Sequence, residues 1–251
     1  MTPGIRPHLL GDDPAAPFPP ASEALREPDG LLAIGGDLSP ARLLAAYAGG
    51  IFPWYSAGQP ILWWSPDPRM VFRTDRVHLS SRFRRGLRRS SWTVRADTAF
   101  DAVVAACAGA PRPGQRGTWI TAGMERAYAR LHRLGHAHSV EVFDADGGLA
   151  GGIYGVALGR MFFGESMFSS RSGGSKVALA ALAWRLAGWG WPLIDAQVEN
   201  PHLHAMGGEA WPRPRFLQAV EQLVREPGLD GSWTGAFGPL PAAELADGPA
   251  R

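Results

Sequence analysis

Three polar side chains stand where the surrounding text is apolar. Glu165 closes the run Arg160-Met161-Phe162-Phe163-Gly164, and Asp195 and Gln197 interrupt the run from Pro192 to Val198. Burying such groups is costly unless they are paired or used. A carboxylate beside a carboxylate–amide couple can position an amine, accept its proton or stabilise an oxyanion at a reacting carbonyl. Asp195 and Gln197 lie two apart, so on a regular strand their side chains share a face. The alternative for Glu165 is a buried carboxylate satisfied by backbone amides.

A second group is basic. Arg82, Arg84, Arg85, Arg88 and Arg89 fall between Ser80 and Arg89 with no acid among them. A serine cap followed by this run predicts a short helix, with Phe83 and Leu87 turned inward. Unpaired like charges repel and invite a polyanion such as phosphate. The whole chain carries only +2, from 25 basic and 23 acidic residues, so any nucleic-acid affinity must be local. Among the tryptophans, Trp63 and Trp64 read as a small aromatic core, and Trp54 is open between core and a stacking surface for a base. His136 and His138 lack a third ligand at motif spacing, so no metal site is expected, and their strand reads as partly exposed. Cys107 is the single cysteine, which excludes a disulfide framework and a cysteine metal cluster.

The elements that must hold these groups follow from pattern. Gly151 to Ala157 reads as a strand, 160–164 as a second, Lys176 to Trp189 as a helix and Pro192 to Val198 as a third strand, which makes a parallel crossover. Upstream, Ser39 caps a helix begun by Pro40, Met70-Val71-Phe72 is a strand, and Thr121 caps a helix whose stripe is Met124, Ala127, Tyr128 and Leu131. Pro111 to Gly117 reads as a loop. Residues 1–20 read as an irregular arm, and the Gly/Pro/Ala-rich tail from Gly228 as loosely ordered. No run of about 18 apolar residues is present for a membrane span, and a cytoplasmic protein is expected. Length and the change of text near residue 70 divide the chain into a small α+β domain, 1–70, and a larger one, 71–251.

From Ser91 the order strand, helix, helix, three strands, helix, strand, helix suits an α/β (α+β) acyltransferase of the GNAT type. Arg171-Ser172-Gly173-Gly174-Ser175-Lys176 sits where that fold binds coenzyme A pyrophosphate, but Lys176 stands where a small residue is needed. The acyl donor is then expected to be something else. Rival readings are an ordinary acetyl-coenzyme A enzyme and an RNA-binding module without catalysis.

Six ordered motifs carry a resemblance: Glu27 to Pro40, Gly50 to Trp54, Trp63 to Arg69, Gly117 to Thr121, Phe163 to Ser169 and Ile194 to Asn200. Together they resemble the leucyl/phenylalanyl-tRNA–protein transferases over residues 18–220. The resemblance implies a GNAT-like C-terminal domain and transfer of Leu, Phe or, less well, Met from aminoacyl-tRNA to proteins beginning with Arg or Lys, marking them for N-degron degradation. It implies no metal, coenzyme or membrane. It implies catalytic roles for Glu165, Asp195 and Gln197, with Asp195 polarising Gln197, and Glu165 able to hold the α-ammonium of the donor. It places Ile153, Phe162, Leu179, Leu182 and Ile194 around the side-chain pocket. Trp54, Trp119, Tyr47, Tyr128 and Asn200 fall at substrate positions, and Arg82 to Arg89 at the acceptor-stem patch. Ile153 and Leu182 stand where Met and Phe are expected.

Overall fold

The computed structural model describes residues 6–110 and 118–247, so the expected loop at 111–117 lies outside the described residues. In chain order the elements are β1 (His8–Leu10), β2 (Leu31–Gly35), α1 (Pro40–Ala48), β3 (Phe52–Pro53), β4 (Leu62–Trp64), β5 (Arg69–Arg73), α2 (Ser81–Leu87), β6 (Thr93–Ala96), α3 (Phe100–Gly109), α4 (Ala122–Arg133) and β7 (Ala137–Phe143). Then follow β8 (Leu149–Leu158), β9 (Met161–Ser169), α5 (Gly174–Gly188), β10 (Leu193–Gln197), α6 (Pro201–His204), β11 (Glu209–Trp211), α7 (Arg213–Leu223), α8 (Thr234–Phe237) and β12 (Leu240–Pro241).

The predicted caps form. Ser39, Ser80 and Thr121 each accept a hydrogen bond from a backbone N–H three residues on, at Arg42, Phe83 and Met124. On α4 the buried residues are Met124, Ala127, Tyr128 and Leu131, the stripe read from the sequence.

Strands β1-β2-β4-β3 make a small sheet, and β11-β5-β10-β9-β8-β7-β6-β12 a large one, giving a mixed α/β fold. In the large sheet β9 and β10 run parallel through the α5 crossover, and the other pairs are antiparallel. One face carries α1, α3, α4 and α7, whose apolar residues share a core cluster with Trp63 and Phe52 of the small sheet. The other face carries α5, which buries Val177, Ala178, Leu179, Leu182 and Leu186. Gly174 lets α5 start directly against β8, because a Cβ there would collide with the Ala150 carbonyl.

Four expectations are corrected. The N-terminal arm contains β1, which pairs in parallel with β2. As far as residue 247 the tail is folded: Trp233, Phe237, Leu240, Ala242 and Leu245 are buried under the α5 face, and β12 pairs with β6. Within that stretch Gly231 and Gly238 have positive φ and turn the chain beside these anchors. The strand β7 is buried over nearly its whole length. His138 Nδ1 donates to Asp97 Oδ2 at 2.8 Å, and the ring stacks on Trp233 at 4.0 Å. The arginine run is not wholly without an acid, since Arg88 pairs with Asp247 of the tail at 2.9 Å; a partner 159 residues away is invisible to local text.

Candidate active site

The site is made by two interruptions of regular pairing on adjacent strands. Against β8 the register of β9 shifts between Tyr154 and Gly155, which face Ser166 and Gly164, so Glu165 is the extra residue. Against β5 the register of β10 shifts between Asp195 and Gln197, so Ala196 is the extra residue. A bulge leaves one residue unpaired and re-aims its neighbours. The β9–β10 ladder ends at Phe163 and Asp195. Beyond that point Gly164 to Met167 and Asp195 to Asn200 line the walls of one cavity of about 370 Å³.

The carboxylate sits in a buried polar cluster. Tyr47 donates to Glu165 Oε1 at 2.7 Å, Tyr128 donates to Oε2 at 2.5 Å, and Gln197 Nε2 donates to Oε1 at 2.8 Å. The two phenols also lie 2.7 Å apart. Burial pushes the Glu165 carboxyl up to about 7, helped by the charge of Asp195 and opposed by the three donors. Burial and the Glu165 charge hold both phenols well above their ordinary range, so they act as donors. The expected alternative of backbone amides satisfying Glu165 is replaced by three side chains from α1, α4 and β10.

Gln197 has φ +61°, in the left-handed region that few non-glycine residues adopt. With Nε2 committed to Glu165, the amide orientation is fixed, and its carbonyl oxygen has no partner among the described residues. Asp195 does not meet the Gln197 side chain. Its Oδ1 accepts the Gln197 main-chain N–H at 2.9 Å, and both oxygens accept from the buried Arg69 at 2.8 and 2.7 Å.

The cavity is apolar away from this wall. Phe72, Ile153, Leu179, Ile194 and Leu203 line it, with Phe52, Trp54, Trp119 and Met167 at other parts of its wall. Of the residues expected to contribute, Phe162 and Leu182 lie in the core behind it. Tyr47 and Tyr128 stand behind Glu165, and Asn200 lines the cavity while capping α6 through Leu203 N–H at 3.0 Å. Trp54 is half-buried, packed against Trp64 at 5.7 Å, and also faces the cavity, so core and surface readings both apply. Phe72, Leu203 and Met167 were missed, since an apolar residue in apolar text carries no local mark. Arg69 was missed too, although an arginine opening a Met-Val-Phe strand signals a buried acid elsewhere.

Arg82, Arg85, Arg88 and Arg89 are exposed on and after α2, and Arg84 is half-buried. A second cavity of about 440 Å³ lies between α2 and the start of α5, lined by Arg82, Phe83, Trp92, Ser172 and Lys176 among others. Phe83 rests on Gly173, and the Lys176 ammonium lies 5.8 Å from its ring. Lys176 is also close enough to lower the pKa of His202, after burial, at the first turn of α6. Among the described residues there is no group of three or more metal-ligating side chains, and no helix is long and apolar enough to cross a membrane.

Comparison with known proteins adds the following. The family described as leucyl/phenylalanyl-tRNA protein transferase matches residues 71–221, and its N-terminal domain matches residues 36–67. The chain is 68% identical over 241 residues to the leucyl/phenylalanyl-tRNA–protein transferase of Xanthomonas axonopodis pv. citri, covering 96% of each chain. It is 68% identical to that of Xanthomonas euvesicatoria over 98% of each chain, and 64% identical to that of Xylella fastidiosa over 95% of this chain and 98% of that one. Among solved structures, that of L-PGS from Bacillus licheniformis aligns over 67% of this chain and 53% of that one, at a TM-score of 0.36 and 13% identity.

Proposed function

The chain belongs to the leucyl/phenylalanyl-tRNA–protein transferase family, enzymes that move an aminoacyl group from tRNA to protein, and from that premise we propose its substrates and its chemistry. The donor carries Leu or Phe, and less readily Met; the acceptor is a protein with Arg or Lys first, thereby marked for N-degron degradation in the cytoplasm. The observation that carries this reading is the apolar cavity closed on one wall by Glu165 and Gln197.

The neutral α-amine of the acceptor, with an ordinary pKa of about 8, attacks the ester carbonyl. An amide bond forms, the ester C–O bond breaks, and the amine's proton ends on the departing ribose oxygen. Because the ester is already reactive, holding the two together supplies most of the rate. Gln197 is the holder for the amine. Its carbonyl oxygen is the group offered, since Glu165 takes its N–H. An amide is a poor base, so the role is orientation, and a tRNA ribose hydroxyl carries the proton. A carboxylate offers about four acceptor positions, and three on Glu165 are filled. The fourth is available to the donor's α-ammonium.

Ile153, Leu179, Ile194 and Phe72 receive the donor side chain, and Trp54 and Trp119 lie beside the terminal adenosine. Arg82, Arg84, Arg85, Arg88 and Arg89 meet the acceptor-stem phosphates, Arg88 after releasing Asp247. The test is to mix the protein with Phe-tRNA and a peptide beginning with Arg. A product heavier by one Phe supports the reading, and an unmodified peptide with intact enzyme overturns it.

A further inference from the structure

Arg69 is a large cation with no exposed side-chain surface. Its guanidinium is clamped between the rings of Phe52 and Phe216, at 4.7 and 4.5 Å to their centroids. Nη1 donates to the Gly50 carbonyl at 3.1 Å, while Nε and Nη2 grip both oxygens of Asp195. Burying such a pair is expensive, and bidentate geometry, a third hydrogen bond and the two aromatic faces together offset the cost. Asp195 is therefore fixed to within the tolerance of two parallel hydrogen bonds. One further hydrogen bond leaves it: Oδ1 accepts the main-chain N–H of Gln197. That N–H belongs to the residue after the bulge, whose φ is +61°. A non-glycine residue in that conformation costs on the order of 1 kcal/mol or more, and persists only where its surroundings hold it.

We propose that Arg69 is a positioning residue for transfer: through Asp195 it holds the Gln197 backbone in its left-handed turn, and so aims the Gln197 amide at Glu165 and the cavity. Asp195 acts on Gln197 through the main chain and not through the side-chain amide. The chain of contacts runs from Arg69 to Asp195 to the Gln197 N–H, then through the covalent frame of Gln197 to its Nε2 and on to Glu165, and its hydrogen bonds are 2.7–2.9 Å long. This inference rests on the transfer reaction proposed above.

The test compares Arg69→Lys with Val220→Ala in the full chain. Lysine keeps the charge but loses the fork. Alanine at Val220, one turn along α7 from Phe216, opens a void in the same core and removes neither a clamping ring nor a hydrogen bond of the chain. For Arg69→Lys, kcat with Phe-tRNA and an Arg-peptide falls about 10–100-fold, the loss expected from a displacement near 1 Å, while KM for Phe-tRNA changes less than twofold. For Val220→Ala, melting falls as far or further and kcat stays within twofold. Equal kcat losses at equal melting losses, or wild-type kcat in Arg69→Lys, would overturn the proposal. Wild-type protein supplies an independent readout should the lysine variant not fold. Gln197 N–H, held by a carboxylate, exchanges with deuterium at least about 100-fold more slowly than an exposed loop amide; exchange at the loop rate contradicts the proposal. If wild-type protein transfers nothing, the fault lies with the assigned reaction and not with Arg69.

Discussion

Gln197 reaches back 32 residues to donate to Glu165 at 2.8 Å, and both residues stand at or beside a bulge on neighbouring strands. This contact commits the nitrogen end of the glutamine amide to the carboxylate. It also couples the conformation of the amide to the ionisation of a carboxyl lifted to about 7.

The first expectation is a pH limb. Three donors point at Glu165, an arrangement suited to the ionised carboxylate. Transfer measured as kcat/KM should rise with pH through an apparent pKa near 7. Tyr128→Phe removes a hydrogen bond that pulls this pKa down, so the limb should move to higher pH. A limb unmoved in that variant, or absent in wild type, would separate Glu165 from the reaction.

The same carboxyl shapes stability. Its folded pKa lies above the ordinary 4.5, so the native state holds the proton more tightly than the unfolded chain. The associated stability is complete below about pH 4.5 and is lost as pH climbs through 7, on the order of 3 kcal/mol in all. Denaturant titrations at pH 5 and pH 8 should show wild type losing stability across that interval relative to Glu165→Gln, which cannot ionise. Parallel pH dependence in the two proteins would contradict the assignment.

Donor choice should follow cavity shape. Leu179→Phe fills space that a donor ring needs, and should turn the kcat/KM ratio towards Leu-tRNA over Phe-tRNA by tenfold or more, the usual scale of steric discrimination. Unchanged ratios would place the donor side chain elsewhere.

The cations should act on tRNA and not on chemistry. Arg82→Gln and Lys176→Gln should each raise KM for Phe-tRNA several-fold and lower the slope of log affinity against log salt by roughly one. With phenylalanyl-adenosine, which has no phosphates, both variants should match wild type. Equal defects with both donors would mean that these side chains serve the fold or the cavity instead.

Much of this architecture is legible in the sequence because its causes are local. Ser39, Ser80 and Thr121 announce helix starts through side chains that bond three residues ahead, and the α4 stripe follows from a 3.6-residue period. What escaped is set across the chain. Alternation predicts a shared face for Asp195 and Gln197, but a bulge depends on the partner strand β5, which lies 126 residues from Asp195 at Arg69. Likewise Trp233 reads as a residue in a loose tail until β7 provides His138 to stack on it. The tail also shows how composition misleads: Gly235 lies within α8, and Gly238, at φ +62°, turns the chain from buried Phe237 to buried Leu240.

The central claim is that a Leu or Phe side chain enters the cavity with its reacting carbonyl beside Gln197. The direct measurement is a crystal structure with an aminoacyl-adenosine analogue whose ester oxygen is replaced by nitrogen. The account predicts a phenyl ring among Phe72, Ile153, Leu179 and Ile194, and the carbonyl within one amine's reach of the Gln197 oxygen. An analogue bound outside this cavity, or a cavity closed to it by these same side chains, would contradict it.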